Sequence, residues 1–245
     1  MPKIILVTGG NAGIGFELVR LLAEKGHTVY LGARNPTSGK EAQDKLISDG
    51  LKTVKFVEID VNKPSTITSA QLLIEAAEGK LDVLVNNAAI GNLQHDQNAL
   101  TVEVSTIRET METNLYGLIE TTKAFVPLLR KSTSGAPVIV NVTTGMASGW
   151  FQSQPNPYMY LHWVAYNTSK AAVNSYTIAL AHELKSEGFK VNAVNPGFTS
   201  TKLNGFREGG KSMRDGALAL LPWALLEKEG GTGLNINDDQ KELPW

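Results

Sequence analysis

The sequence predicts a doubly wound α/β fold, in which helices cover both faces of a parallel sheet of about seven strands. Short apolar runs alternate with stretches of helical periodicity along all 245 residues, and this alternation is typical of βαβ units. The apolar runs are continuous, as expected for strands that are buried on both faces. No repeat or linker interrupts the pattern, so we expect a single domain over residues 1–245.

The strands are identified as β-branched and aliphatic runs that end in glycine or polar residues. They are predicted at residues 4–8, 28–31, 54–59, 81–85, 138–142 and 189–194, with an edge strand at 234–236. The helices have apolar residues at intervals of three and four, as Leu18, Leu21 and Leu22 do in the first one. They are predicted at residues 14–25, 40–47, 67–77, 104–130, 165–187 and 215–227, with Pro127 as the predicted site of bending in the fourth.

The composition of the chain argues against several classes of function. The chain is 42% hydrophobic and 19% charged, with a net charge of −1, so no basic surface for nucleic acid or an anionic membrane is expected. It contains no cysteine, which rules out disulfides, thiol catalysis and cysteine–metal sites; no metal site is predicted. The four-residue apolar run at the N-terminus is too short for a signal peptide or a membrane span, and we expect a cytoplasmic protein.

A glycine-rich loop joins the first strand to the first helix. Residues 8–15 read TGGNAGIG, with Gly9, Gly13 and Gly15 at the spacing of a dinucleotide-binding turn. A pyrophosphate must approach the backbone amides of a helix N-terminus, where a Cβ atom would block it. The bland alternative is a turn that is merely rich in glycine, but its strand–loop–helix context favours a Rossmann-type cofactor site.

The end of the second strand indicates which cofactor binds. An acidic residue there would favour NAD through the ribose 2′-hydroxyl, whereas a basic one would favour the 2′-phosphate of NADP. Residues 31–35 read LGARN, so there is no acid and Arg34 is available for a bidentate phosphate contact. We therefore predict NADP(H); the alternative is that Arg34 is only a solvated surface residue.

Further motifs follow in order along nearly the whole chain. They are DV at 60–61, NNAA at 86–89, TNLYG at 113–117, YNTSK at 166–170 and NPGFTST at 195–201. With the glycine loop, this series resembles the classical short-chain dehydrogenase/reductase family. The TGGN opening and the Ala-Arg end of the second strand are similar to its carbonyl-reductase-like branch. That branch often has a basic residue where this chain has Ala12, so NADP preference would depend on Arg34, with help from Asn11, Asn35 or Lys40.

The resemblance implies a complete set of site residues. The catalytic group would be Asn114, Thr144, Tyr166 and Lys170. The cofactor would be bound by residues of the quoted motifs, namely Gly9, Asn11, Gly13, Ile14, Gly15, Arg34, Asp60, Val61, Asn87, Ala88, Tyr166, Lys170, Pro196, Gly197, Thr199 and Thr201.

Tyrosine and lysine can together supply the proton that carbonyl reduction requires. Tyr166 and Lys170 are four residues apart and share one face of a helix. A nearby ammonium stabilises a phenolate, so we expect Lys170 to lower the pKa of Tyr166. In the family, the asparagine at the position of Asn114 supports this lysine through water. Without the other motifs, the tyrosine–lysine spacing could be a coincidence of packing.

A third hydroxyl would hold the substrate oxygen. The family usually has serine at the end of the fifth strand, and this chain has Thr144 in the sequence NVTT. Threonine keeps a donor hydroxyl, although its methyl group restricts χ1. Ser153 competes for the role because it stands 13 residues before Tyr166, but we favour Thr144 because a strand end fixes a side chain more rigidly than a loop.

Two segments are expected on the substrate side. Residues 148–163 are an aromatic insertion that leads into the catalytic helix and would form either an apolar pocket wall or a packed lid or subunit contact. Its pocket candidates are Trp150, Phe151, Tyr158, Met159, Tyr160 and Trp163. Residues 202–215 contain three glycines and little apolar periodicity, which suits a mobile substrate lid.

The predicted function is hydride transfer between NADP(H) and a carbonyl or secondary alcohol, favouring reduction of an apolar or aromatic ketone or aldehyde. Two alternatives stay open: a non-catalytic NADP(H) sensor or scaffold on the same fold, and related chemistry such as imine reduction or epimerisation. The expected partner is a small-molecule substrate, with no nucleic acid or membrane. The two long helices at 104–130 and 165–187 would be the contact surface of a dimer or tetramer.

Overall fold

The computed structural model describes residues 1–133, 135–155 and 162–245. Its strands are β1 (Ile4–Thr8), β2 (Thr28–Ala33), β3 (Val54–Glu58), β4 (Val83–Asn86), β5 (Val138–Val142), β6 (Lys190–Val194) and β7 (Asn235–Ile236). They form one sheet in the order β3-β2-β1-β4-β5-β6-β7, and every neighbouring pair is parallel. The predicted fold class is confirmed.

Helices cover both faces of this sheet. They are α1 (Gly13–Glu24), α2 (Pro36–Ser48), α3 (Pro64–Glu78), α4 (Val104–Met111), α5 (Gly117–Leu129), α6 (Gly149–Ser153), α7 (Val164–Glu183) and α8 (Met213–Ala224). Helices α1, α2 and α8 form one core with the sheet, through side chains such as Leu18 and Leu220. Helices α3, α5 and α7 form the other, through side chains such as Phe125 and Leu180.

The predicted helix at residues 104–130 has an unexpected interior. Between α4 and α5, Glu112–Tyr116 form a π-helical turn, in which the Gly117 N–H donates to Glu112 O. Gly117 lies against the chain after β3, where an added Cβ would come 2.8 Å from Val61 O. Pro127 lies inside α5, which continues to Leu129. Single π turns occur frequently at functional sites, and this one carries Asn114.

The order of strand numbers reverses on either side of β1, so the loops after β1 and β4 separate at a crevice above the carboxyl ends of the strands. Ligands bind at this position in doubly wound folds. The chain also returns there at its C-terminal end. After β7 it turns back, and Leu243 N–H donates to Asn235 O at 2.7 Å while Trp150 N–H donates to Trp245 O at 3.3 Å. In the part of the chain that the structure describes, no helix is both long and apolar enough to cross a membrane.

Candidate active site

A cavity of about 410 Å³ opens at the carboxyl edge of the sheet. Three of the four predicted catalytic residues, Thr144, Tyr166 and Lys170, line it together. Several predicted cofactor residues also line it, namely Ile14, Asn87, Pro196, Gly197, Thr199 and Thr201. Segments far apart in the sequence therefore meet at one cavity.

The glycine loop lies beside this cavity. Gly9 and Gly13 have φ angles of 63° and 60°, a backbone conformation that glycine adopts without steric cost. Gly15 serves packing within the protein, because a Cβ there would lie 2.4 Å from Asn87 Nδ2 and 2.5 Å from Gly9 O. Helix α1 begins without a side-chain cap at Ala12 and without an acidic residue in its first turn. Its first amides are thus suited to an anionic ligand.

Thr8 connects this loop to the turn after β4. Its buried hydroxyl accepts hydrogen bonds from the backbone N–H groups of Asn87 and Ala88, both at 3.0 Å. In turn, Asn87 Nδ2 donates to Thr8 O at 2.9 Å and to Gly9 O at 3.2 Å. These bonds fix Asn87 and Ala88 above the crevice.

The end of β2 presents polar groups at the far end of the glycine loop. Arg34 is exposed there, and none of the ion pairs found among the described residues involves it. Asn11 Nδ2 donates to Ser38 Oγ at 3.1 Å. Lys40, one of the three residues that could assist Arg34, forms an ion pair with Asp44 at 2.9 Å. A second depression of about 330 Å³ lies here, lined by Asn11, Ala12, Phe16, Ser38, Glu41, Ala42 and Lys45.

Asp60 and Val61 follow β3 along the same edge, and both are partly buried. The Asp60 carboxylate accepts the Asn62 N–H at 3.1 Å. Asn62 Nδ2 in turn donates to Thr113 Oγ1 at 2.9 Å, which attaches this turn to the π-helical segment. The pair that would contact the adenine ring is therefore held by the element that carries Asn114.

Asn114 is fully buried and lies beside the cavity, but it is not among the residues lining it. Its Oδ1 accepts the Ile90 N–H at 2.9 Å, and its Nδ2 donates to Ile90 O at 2.9 Å and to Ser169 Oγ at 3.0 Å. Ser169 Oγ donates to Tyr166 O at 2.7 Å. Asn114 thus joins the loop after β4 to the helix that carries Tyr166.

Tyr166 and Lys170 project from the first two turns of α7. Lys170 is buried, and its Nζ donates to Val142 O at 2.8 Å; burial lowers the pKa of this lysine to about 8. Burial also disfavours the charged form of Tyr166, which here raises the pKa to about 12. The expected lowering of the tyrosine pKa by Lys170 is therefore wrong for this structure, because desolvation of the phenolate dominates. At neutral pH the phenol keeps its proton and can donate it.

The two candidate hydroxyls are placed very differently. Thr144 lines the cavity and caps the 3₁₀ turn at Gly145–Ala147, with its Oγ1 accepting the Met146 N–H at 3.3 Å. Ser153 is exposed, does not line the cavity, and donates to Trp150 O at 2.8 Å. The geometry therefore favours Thr144 as the group that contacts a substrate.

The aromatic insertion contributes to the cavity in part. Phe151 and Trp163 line it, whereas the side chain of Trp150 is half exposed. Tyr158, Met159 and Tyr160 lie outside the described residues. From the predicted lid, Leu203 and Asn204 line the cavity, and Asn204 Nδ2 donates to Thr199 O at 2.9 Å.

One wall was missed by the sequence analysis. Asn237, Asp238 and Leu243 line the cavity from the segment after β7. Asp238 forms an ion pair with Lys211 of the lid, so lid and C-terminal segment are joined at the cavity. No local signal in the sequence indicates this wall, since it depends on where the chain passes after the last strand.

Comparison with known proteins finds a matching family model and similar relatives. Residues 3–210 match the family model described as short chain dehydrogenase. A (+)-neomenthol dehydrogenase from Arabidopsis thaliana is 35% identical, over 90% of this chain and 92% of the relative. Salutaridine reductase from Papaver bracteatum is 30% identical, over 94% of this chain and 93% of the relative.

Solved structures have the same fold. The salutaridine reductase of Papaver somniferum superposes with a TM-score of 0.81 at 26% identity, covering 95% of this chain and 99% of that one. The NADPH-bound carbonyl reductase from chicken fatty liver superposes with a TM-score of 0.87 at 23% identity, covering 100% of this chain and 99% of that one.

Proposed function

The chain belongs to the short-chain dehydrogenase family and is an oxidoreductase, and we propose that it reduces an apolar or aromatic ketone or aldehyde with NADPH. One observation carries the proposal: Thr144, Tyr166 and Lys170 line a single cavity together with Ile14 of the glycine-loop helix and residues of the segment 196–201. This set supplies a proton donor and a hydroxyl for the substrate oxygen beside a dinucleotide-binding edge.

The residues of this chain fit NADP(H). The uncapped N-terminus of α1 suits a pyrophosphate, and the glycine loop runs between the depression at Asn11 and the larger cavity at Ile14. Exposed Arg34 suits a 2′-phosphate. The chicken carbonyl reductase, whose fold this chain shares, is described as NADPH-bound.

When bound, NADPH would supply the hydride that adds to the carbonyl carbon. Tyr166 donates its phenolic proton to the carbonyl oxygen, and the product is an alcohol. The hydroxyl of Thr144 donates a hydrogen bond to the same oxygen and stabilises its developing charge. Lys170 is held at the end of β5 by its bond to Val142 O, where it would hydrogen-bond the nicotinamide ribose of the bound cofactor.

An apolar, medium-sized substrate suits the walls of the cavity. Phe151, Trp163, Leu203 and Leu243 line it. The predicted cofactor residues line the same cavity, so substrate and cofactor would share its volume of about 410 Å³. The neomenthol dehydrogenase and salutaridine reductases to which the chain is similar have names that refer to polycyclic or terpenoid compounds. We therefore place ketones of this kind first among candidate substrates.

The test is NADPH consumption with a panel of aromatic and terpenoid ketones and aldehydes, with NADH in parallel and Tyr166→Phe beside the native protein. We expect turnover with NADPH, much weaker turnover with NADH, and loss of at least about 100-fold in the variant. Turnover that survives loss of the tyrosine hydroxyl would refute the mechanism. NADPH binding without turnover of any carbonyl would favour the sensor alternative.

A pair of variants tests which hydroxyl contacts the substrate. Thr144→Val should lower kcat/KM by about 100- to 1,000-fold, as for loss of one oxyanion donor. Ser153→Ala should leave it unchanged, because Ser153 is directed to Trp150 O. The reverse ranking would assign the role to Ser153.

We also propose a homo-oligomer that pairs through its long helices. Tyr116 and Ile178 are 49% and 43% exposed on these two elements, so both side chains are available for a subunit contact. Light scattering after gel filtration tests the proposal, and a monomer at micromolar concentration would refute it. The cytoplasmic location stays a prediction.

A further inference from the structure

A buried glutamine in the loop after β4 lies against the start of the helix that carries Tyr166. Gln97 is only 3% exposed, although residues 94–96 and 98–100 on either side of it are exposed. Buried amides are retained where their hydrogen bonds are satisfied. The partners of Gln97 therefore indicate what it does.

The backbone carbonyl and the side-chain oxygen of Gln97 cap helix α7. The helix begins after Trp163 without a side-chain cap of its own, so its first N–H groups need acceptors from elsewhere. Gln97 supplies two: its backbone O accepts the Val164 N–H at 3.1 Å, and its Oε1 accepts the Tyr166 N–H at 3.2 Å.

The side-chain nitrogen of Gln97 holds its own loop. Its Nε2 donates to Gly91 O at 2.8 Å and to Asn92 O at 2.9 Å. Asn92 has a φ of 50°, and its Nδ2 donates to Thr110 Oγ1 at 3.2 Å, which connects this loop to α4. A single side chain thus spans from the loop after β4 to the backbone of the tyrosine.

We propose that Gln97 is a positioning residue, which fixes the axial position of α7 and so the position of the Tyr166 hydroxyl in the cavity. This inference rests on the proposed function, in which Tyr166 is the proton donor. The contact is made at the backbone amide of Tyr166 itself, where a shift of one residue along a helix is about 1.5 Å. A displacement of about 1 Å can cost about 100-fold in rate.

The experiment compares Gln97→Met, which removes the amide, with Gln97→Asn, which keeps it one methylene shorter. Gln43→Met is the matched control, because Gln43 Nε2 donates to Val54 O at 3.1 Å and Gln43 lines neither the cavity nor the depression at Asn11. The measurements are the single-turnover rate of NADPH oxidation with the most active ketone of the panel, the Kd for NADPH by fluorescence, and amide exchange of residues 164–169.

We expect both Gln97 variants to lower the rate constant by about 10- to 100-fold, with Kd for NADPH within about twofold of the native value, and to accelerate exchange in residues 164–169. Gln43→Met should change none of these. A native rate in a folded Gln97 variant would overturn the inference, as would a fall in rate that is fully explained by weaker NADPH binding. If Gln97→Met fails to fold, Gln97→Asn decides. Activity retained in Tyr166→Phe would instead refute the proposed function, so the two failures are distinguishable.

Discussion

Replacing Thr8 by valine removes a hydroxyl while keeping the shape of the side chain. Thr8 Oγ1 accepts the N–H groups of Asn87 and Ala88 at 3.0 Å. The Asn87 N–H keeps a second acceptor, Val85 O at 3.1 Å, whereas the Ala88 N–H has no second one within the described ranges. One unsatisfied amide costs about 1–3 kcal/mol, so we expect a loss of about 2 kcal/mol in the free energy of unfolding.

Urea unfolding measures this loss. With a slope of about 2 kcal/mol per M, the midpoint should fall by about 1 M. Thr68→Val is the matched control, because the exposed Thr68 hydroxyl donates to Pro64 O on the surface of α3; it should change stability by less than about 0.5 kcal/mol. If Thr8→Val is as stable as this control, the hydroxyl does not hold the two loops together.

Three further predictions concern charges. Arg34→Ala should weaken NADPH binding by about tenfold, as for loss of a charge-assisted hydrogen bond at an exposed site, and leave NADH binding unchanged; equal losses for both cofactors would contradict the 2′-phosphate role. Lys211→Met removes the partly exposed ion pair with Asp238, so KM should rise by no more than about fivefold with kcat unchanged. The difference in KM between variant and native protein should shrink in salt of about 0.5 M, where the Debye length is roughly 4 Å; a difference that persists would indicate a packing effect. His27 accepts the Lys3 N–H at 3.0 Å, and burial lowers the pKa of His27 from 6.5, so the unfolded chain binds more protons and stability should fall as pH drops below 6.5. His27→Asn keeps an acceptor that does not titrate, and thermal denaturation between pH 5 and 7 should then show a weaker pH dependence.

The fold and the family could be predicted from the sequence because their signals are local. Strands β1 to β6 are short runs rich in apolar residues, and the motifs at 8–15, 60–61, 86–89 and 195–201 lie at the ends of such runs, at the edge where ligands bind. The motifs at 113–117 and 166–170 lie on helical segments. The family, the parallel sheet and the oxidoreductase class are confirmed. The roles of the individual site residues stay predictions that the Tyr166 and Thr144 variants test.

The remaining features depend on contacts between distant segments. Gln97 has no partner within four residues that would reveal its place under α7, and Asp238 joins the cavity only because the chain turns back after β7. The tyrosine pKa was misjudged for a related reason. Spacing along a helix indicates that Lys170 is near Tyr166, but it contains no information about how deeply the walls bury both groups.

The C-terminal segment contributes to the shape of the cavity but not to the proposed reaction. Leu243 lines the cavity, yet its segment carries none of the residues assigned to proton transfer. Its backbone is fastened at both ends, by the bond from Leu243 to Asn235 and by the bond from Trp150 to Trp245. Substitutions at Leu243 would therefore reshape the chamber while leaving the proton donor and the cofactor edge in place, which makes this short segment a natural target for libraries that aim to change the range of accepted ketones.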